Sequence, residues 1–128
     1  MDASEIHAGD MKKVLLVDDD PVVLKTMKSF LDASYQVTAV KSGKVALKFL
    51  EKQSCDAIIL DYMMPDMDGA QTFREIRSLP QGAAIPIIFA TGLNDEASMT
   101  ACRALNPQGY ITKPANKEKL LESLAGLF

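Results

Sequence analysis

Short apolar runs alternate five times with longer amphipathic stretches along this chain. Each run is only a few residues long and most are rich in β-branched residues, which is typical of β-strands. The predicted strands cover residues 14–17, 37–40, 57–60, 85–90 and 110–112. The pattern therefore indicates five strands with a different kind of element after each.

The stretches that follow the runs carry apolar residues at helical spacing, which predicts five helices. Their apolar faces are Val23, Met27, Phe30 and Leu31; Ala46, Phe49 and Leu50; Phe73 and Ile76; Ala97, Ala101, Ala104 and Leu105; and Leu120, Leu124, Leu127 and Phe128. Each helix is preceded by a residue that favours a helix start. These are Asp20 before Pro21, Ser42, Asp68 with Gln71 three residues on, Asn94 or Asp95, and Asn116.

Strict alternation of strands and helices predicts an α/β fold, a doubly wound parallel sheet with helices on both faces. The first, third and fourth runs are apolar throughout, as central strands are, whereas the second alternates and the fifth is short and mixed. Right-handed crossovers then favour the flavodoxin-like order 2-1-3-4-5. In that order the chain reverses direction between strands one and three, and ligands bind at such a reversal, at the carboxyl ends of the strands.

Length and composition narrow the functional classes. The chain has 128 residues, 48 % of them hydrophobic, which predicts one globular domain over residues 12–128 behind a disordered leader at 1–11. The net charge of −3 gives no basic footprint for nucleic acid, and no apolar run is long enough to cross a membrane. We therefore expect a cytoplasmic protein. His7 lies in the leader, and Cys55 and Cys102 are expected to be reduced and partly buried.

Acidic residues follow two strands that the fold brings together. Asp18, Asp19 and Asp20 follow the first strand, and Asp61 follows the third. Asp20 is explained as a helix cap, but several carboxylates in one crevice repel one another unless a cation relieves them. Oxygen-only ligands with few protein donors suit Mg²⁺. The sequence therefore predicts a magnesium site at this edge of the sheet.

Two further residues end the neighbouring strands. Thr91 ends the fourth strand and Lys113 ends the fifth, where Pro114 favours extended backbone at the residue before it. A hydroxyl and an ammonium group beside carboxylates and Mg²⁺ supply the charge neutralisation that phosphoryl transfer needs. An aspartate can attack phosphorus and form an acyl phosphate, which makes Asp61 the predicted acceptor.

Four segments together resemble the bacterial response-regulator receiver family over residues 12–126. They are VDDDP at 17–21, LDYMMPDMDG at 60–69, ATG at 90–92 and GYITKP at 109–114. The resemblance implies a receiver of a two-component phosphorelay, phosphorylated on Asp61 by a sensor histidine kinase or a histidine phosphotransfer protein. It implies Mg²⁺ bound by Asp19, Asp61 and the backbone carbonyl of Met63, with Asp18 acting through water or toward Lys113.

The resemblance also implies a switch. Lys113 is expected to pair with the phosphoryl oxygens and Thr91 to hydrogen-bond them, while Tyr110 swings inward and remodels the surface of helix four, strand five and helix five. An unidentified downstream effector is expected to bind that surface. A phosphorylation-dependent homodimer is a further expectation, although Pro107, before strand five, departs from the usual pattern.

Met63 and Leu93 occupy the positions two residues after Asp61 and Thr91, where family members tune phosphoryl hydrolysis. Both side chains are apolar, so neither can position a water molecule. The sequence therefore predicts slow self-dephosphorylation.

Three other functions fit the sequence less well. An aspartyl-nucleophile phosphatase commonly carries a general acid where this chain has Met63, which cannot transfer a proton. A degenerate receiver that only binds partners usually lacks an acidic residue or the lysine, and all are present here. A flavin-binding protein needs a phosphate-cradling loop where this chain has Asp18, Asp19 and Asp20. We therefore expect a signalling protein that catalyses only its own phosphorylation and dephosphorylation.

Overall fold

A single five-stranded parallel sheet, in the order β2-β1-β3-β4-β5, forms the centre of the domain. The structure is a computed structural model that describes residues 11–64, 67–92, 96–113 and 116–128. For Thr91 and residues 96–98 it describes the backbone alone. Residues 1–10 of the predicted leader and the helix-start candidates Asn94 and Asp95 lie outside the described residues.

Strands and helices alternate from end to end, as predicted. The strands are β1 (Lys13–Val17), β2 (Gln36–Val40), β3 (Ala57–Asp61), β4 (Ile87–Thr91) and β5 (Gly109–Thr112). The helices are α1 (Pro21–Leu31), α2 (Gly43–Lys52), α3 (Gly69–Ser78), α4 (Glu96–Ala104) and α5 (Lys117–Ala125), and a 3-10 turn covers Pro80–Gly82. The predicted fold class and strand order are both confirmed.

Burial explains why β2 and β5 occupy the edges. All five residues of β3 are buried, as are four of the five in β1, because helices cover both faces of the sheet centre. β2 and β5 each bury one residue fully. The two faces carry separate cores, one centred on Leu15, Ile58 and Phe89 and the other on Leu16, Ile59 and Leu120.

Side-chain caps begin four helices at the predicted residues. Backbone N–H groups donate to Asp20 from Val22, to Ser42 from Val45, to Asp68 from Gln71 and to Asn116 from Lys119. These bonds satisfy donors that the first helical turn leaves free.

Some boundaries differ from the prediction. β4 begins at Ile87 rather than at residue 85, because Pro86 has no N–H to give the ladder. Helix α5 ends at Ala125, so Leu127 and Phe128 lie beyond it, and the Phe128 ring packs on Tyr35 with centroids 5.9 Å apart.

Two side-chain assignments also differ. In α1 the buried residues are Leu24, Met27 and Leu31, whereas Val23 is half-buried, so the buried face is offset slightly from the predicted one. Cys55 and Cys102 are free, as expected, but fully buried.

Arg77 of α3 connects this helix to segments that lead into β4 and β5. The Arg77 guanidinium donates to the carbonyl oxygens of Gly82 at 2.9 Å and Ile85 at 2.6 Å, and to Gln108 Oε1 at 3.2 Å. It also lies over the Phe73 ring, 4.8 Å from the centroid. The planar fork of Arg suits such divergent acceptors, so one side chain ties α3 to the segments that precede β4 and β5.

Helices α2 and α3 approach each other closely at Gly43. A Cβ atom at Gly43 would overlap the Thr72 hydroxyl oxygen and lie 3.0 Å from Met67 Sδ. Thr72 is fully buried and donates its hydroxyl to the Asp68 carbonyl oxygen at 2.8 Å. The contact therefore depends on the missing side chain at Gly43. Among the described residues, no helix has the length and apolarity that crossing a membrane requires.

Candidate functional site

Two adjacent strands bring the acidic residues together. β1 and β3 pair in parallel with Val17 opposite Leu60, so Asp18 and Asp61 leave the same edge of the sheet side by side. The Asp18 N–H donates to the Val40 carbonyl oxygen at 3.2 Å, which holds the end of β1 against β2. The site thus lies at the carboxyl ends of the strands, where the chain reverses direction.

Asp61 is a buried carboxylate at the end of β3, with 3 % of its surface exposed. Its Oδ1 atom lies 3.0 Å from Lys113 Nζ and accepts a weak hydrogen bond from the Met63 N–H at 3.4 Å. Burial raises the pKa of Asp61 to about 6; the hydrogen bond from Lys113 opposes this rise, and the negative charge of Asp18 adds to it.

Asp18 is equally buried, and both of its oxygens are engaged. Oδ1 accepts the Asp20 N–H at 2.9 Å, and Oδ2 lies 2.5 Å from Lys113 Nζ. This arrangement fixes the carboxylate against the turn and aims it at the ammonium group. Of the two roles expected for Asp18, the geometry favours the one toward Lys113.

Lys113 follows β5 and reaches back across the site with 20 % of its side chain exposed. Burial alone lowers the pKa of this ammonium group, but hydrogen bonds to Asp18 and Asp61 outweigh that effect and leave the pKa above its ordinary value. Lys113 is therefore a fixed positive charge that bridges two carboxylates.

The donor set fits a hard divalent cation. Carboxylate oxygens of Asp18, Asp19 and Asp61 lie within 4.8 Å of one another, and Asp19 is exposed. Three carboxylates face one ammonium group, which leaves two negative charges uncompensated. Mg²⁺ prefers oxygen ligands and retains several waters, so an open cleft with few carboxylates suits it. Because both Asp18 oxygens are engaged, Asp19 and Asp61 are the carboxylates best placed to hold it.

The remaining predicted residues surround this cleft to different degrees. Met63 lines it with 58 % of its surface exposed, together with Asp18, Asp19, Asp61 and Lys113. Tyr110 is half-buried on β5 and packs against the core on the α2–α3 side of the sheet. The backbone of Thr91 ends β4 opposite Thr112. The Thr91 side chain and residue Leu93 are not among the parts of the chain that the structure describes.

Two glycines, Gly69 and Gly92, shape the backbone around the site. The Gly69 N–H donates to the Tyr62 carbonyl oxygen at 2.9 Å, and a Cβ atom at Gly69 would lie 2.6 Å from the Tyr62 Cα. The loop that follows Asp61 therefore closes tightly only with glycine here. Gly92, which follows Thr91, lines the cleft without a side chain. Neither glycine is among the residues predicted for the site, although the position of Gly69 directly after the helix cap Asp68 indicates a tight turn there.

Comparison with known families and relatives gives a consistent match. The family model for the response regulator receiver domain matches residues 14–125. The transcriptional regulatory protein GltR of Pseudomonas aeruginosa is 34 % identical over 117 residues, which cover 91 % of this chain and 48 % of that protein. A probable cyclic di-GMP phosphodiesterase of Vibrio cholerae is 34 % identical over 103 residues, 80 % of this chain and 23 % of that protein.

Similar solved structures support the same family match. The chemotaxis protein CheY4 of Vibrio cholerae is 32 % identical with a TM-score of 0.86, covering 92 % of this chain and 99 % of that one. The receiver domain of sensor histidine kinase PA1611 of Pseudomonas aeruginosa is 31 % identical with a TM-score of 0.85, covering 91 % and 97 %. That structure is described as having a magnesium ion coordinated in the active site cleft. This chain spans half or less of the length of the first curated relatives that it matches.

Proposed function

The chain belongs to the response regulator receiver domain family, and we propose that its Asp61 accepts a phosphoryl group from a phosphohistidine in a Mg²⁺-dependent reaction. Receiver domains are the signal-receiving modules of two-component systems. The observation that carries the proposal is the pairing of buried Asp61 with Lys113, beside two further carboxylates.

The residues support attack by Asp61 on phosphorus. With a pKa near 6, Asp61 is mostly ionised at neutral pH even without a cation, so it can act as a nucleophile. One carboxylate oxygen forms the new O–P bond while the P–N bond of the phosphohistidine breaks. The electron pair stays on the ring nitrogen, and a proton on the other ring nitrogen lets the ring leave as neutral imidazole. No proton need be taken from Asp61 or supplied by it, so the inability of Met63 to transfer a proton is no obstacle.

Lys113 and the acidic residues have different electrostatic roles in this reaction. The Lys113 ammonium, oriented by Asp18, is placed to donate to an oxygen of the transferred phosphoryl group. Asp19, Asp61 and the Met63 carbonyl are the groups that would hold Mg²⁺. When bound, Mg²⁺ neutralises charge on the phosphoryl oxygens.

We propose that phosphorylation alters the face built from α4, β5 and α5. In this proposal the Thr91 hydroxyl binds the phosphoryl group and Tyr110 moves inward. Tyr110 already borders a polar groove between β5 and α5 that Asn116, Lys119 and Glu122 also line. A side-chain rearrangement there changes the surface that a downstream effector contacts.

The partners follow from this chemistry. The donor is a sensor histidine kinase or a histidine phosphotransfer protein, and the receiver acts through an effector rather than through DNA, since the chain carries a net charge of −3. The cytoplasmic location and a phosphorylation-dependent homodimer stay predictions. The product is the modified protein itself, so we expect negligible steady-state hydrolysis of a generic phosphate ester.

Intact-mass measurement tests the proposal. The chain is incubated with acetyl phosphate in Mg²⁺ and, separately, in EDTA. We expect one phosphoryl adduct in Mg²⁺, little in EDTA, and none in Asp61→Asn. Asp32→Asn, which alters an exposed carboxylate paired with Lys28, should be modified like the wild type. Absence of the adduct in folded wild-type protein, or its persistence in Asp61→Asn, would contradict the proposal.

A further inference from the structure

Helix α2 presents an unusually basic face. Its exposed positions are Lys44, Val45, Lys48, Glu51 and Lys52. At 3.6 residues per turn the three lysines fall within an arc of about 80°, with Lys48 in the middle. Lys41, just before the helix, is exposed as well. We call Lys41, Lys44, Lys48 and Lys52 the basic row.

The basic row is not balanced within the domain. None of its ammonium groups forms an ion pair with a carboxylate of the described residues, including Glu51, the one acidic residue of α2. α1 carries only lysines as charged residues, but its Lys28 pairs with Asp32 directly after the helix, and the exposed faces of α3 and α5 mix both signs. On α3, Arg74 lies beside Glu75, and α5 carries Lys117, Lys119, Glu118 and Glu122.

This arrangement works against the stability of α2. Lys44 and Lys48, and again Lys48 and Lys52, are like charges at i and i+4, a spacing at which they repel. Lys44 also stands in the first helical turn, beside the positive end of the helix dipole, and that turn has no acidic residue. Lys52, in the last turn, is favourably placed for the same dipole, so the electrostatic cost falls on the Lys44 end of the row and on the lysine pairs.

We propose that the basic row of α2 is a docking surface for an acidic helix of a partner protein. Lysines four residues apart repeat about every 6 Å along the helix axis, and a helix with Glu at i, i+4 and i+8 repeats its carboxylates at the same interval. Val45, 46 % exposed at the margin of the row, supplies an apolar contact beside the charges. Complementary charge of this kind steers association and fixes register.

Other anionic partners fit less well. A membrane surface or a nucleic acid presents a wide field of negative charge to the whole domain, and this domain carries a net charge of −3 with its basic row confined to one helix. A partner helix contacts the row alone. The proposal does not depend on phosphorylation of Asp61.

The probe is a synthetic helical peptide with Glu at three successive i, i+4 positions, and the control peptide carries Gln there. In an NMR titration of the ¹⁵N-labelled chain at moderate salt, we expect amide shifts clustered at residues 41–52, and none with the Gln peptide. The triple variant Lys44→Gln, Lys48→Gln, Lys52→Gln should bind the Glu peptide about tenfold more weakly.

The matched control is Lys25→Gln, Lys117→Gln, Lys119→Gln, which makes the same change in net charge, from −3 to −6, at other exposed lysines. It should weaken binding by no more than about twofold. Equal weakening in both triples would mean general attraction and would overturn the proposal.

Two more measurements separate the remaining explanations. Removing the row should raise the denaturant midpoint of the free domain; a lower midpoint would mean that these lysines stabilise the fold, which overturns the proposal. Sedimentation with phosphatidylglycerol vesicles should show no binding by the wild type. Vesicle binding that the row variant loses would assign the surface to a membrane instead.

Discussion

The environment of Asp61 contains two opposing effects. Burial and the nearby Asp18 disfavour its charged form, while Lys113 favours it. The first pair prevails, so the free domain carries a carboxylate that is costly to ionise. A site of this kind gains from any cation that offsets the cost, which links the stability of the domain to its proposed chemistry.

The cost has a definite pH dependence. The pKa of Asp61 is about 6 in the folded chain against 3.8 for an ordinary aspartate. The folded state therefore binds more protons between these values, and its stability falls as pH rises from about 4 to about 6. In EDTA at pH 7.5 we expect the free energy of unfolding of Asp61→Asn to exceed that of the wild type by on the order of 1–3 kcal/mol.

Below pH 4 the two proteins should converge. Urea melts at pH 4 and at pH 7.5 provide the measurement, and Asp32→Asn is the control that should show no such gain. An Asp61→Asn protein no more stable than the wild type at pH 7.5 would refute this account of the site.

The side chain at Met63 leads to a second prediction, about the lifetime of the phosphoryl group on Asp61. Its side chain is apolar, exposed and beside Asp61, and Leu93 is the other residue to which the sequence assigns a tuning role. Neither can orient a water molecule for attack on phosphorus. We expect the double variant Met63→Asn, Leu93→Glu to lose its phosphoryl group faster than the wild type, measured as decay of the intact-mass adduct. An unchanged lifetime would remove the tuning role.

At the scale of elements, periodicity predicted the five strands and five α-helices of the described residues, because the central strands are apolar on both faces and the helices on one. It failed where local chemistry interrupts the pattern, at Pro86 and after Ala125. The Arg77 contacts could not be predicted either. They join α3 to Gly82, Ile85 and Gln108, which come together only once the sheet has formed.

The contact between α2 and α3 gives a test at this scale. Gly43→Ala should destabilise the domain by about 1–3 kcal/mol, because the new methyl group meets the buried Thr72 hydroxyl. Gly126→Ala is the matched control: its Cβ would lie 3.6 Å from the nearest atom with a φ of −68°, so it should be neutral or slightly stabilising. Equal thermal midpoints for the two variants would contradict the close packing.

At the scale of the whole molecule, edge polarity predicted the strand order, and the strand order predicted where the carboxylates meet. The roles of the three consecutive aspartates could be predicted only in part. Pro21 identified Asp20 as the cap of α1, which the structure confirms. Periodicity and spacing do not distinguish Asp18 from Asp19, yet Asp18 is buried against Lys113 and Asp19 is exposed. That distinction depends on how β5 returns Lys113 to the site from 95 residues away.

A cation that binds the assembled site should stabilise the whole fold. Since Asp18, Asp19 and Asp61 come together only in the folded chain, Mg²⁺ at ten times its Kd should add about 1.4 kcal/mol and raise the thermal midpoint by a few degrees. Asp19→Asn should lose most of this rise and Asp32→Asn should keep it, with KCl matching the ionic strength. An equal rise in Asp19→Asn would place the ion elsewhere.

The close approach of α2 to α3 at Gly43 has a consequence for signalling. The proposed rearrangement involves Tyr110 and β5, at the opposite edge of the sheet from β2, while α2 packs on Thr72 with no room for a methyl group between them. We therefore expect a partner held on α2 to remain attached whether or not Asp61 carries phosphate. Helix α2 would then bind a partner constitutively, while the effector would recognise phosphorylation at the face built from α4, β5 and α5.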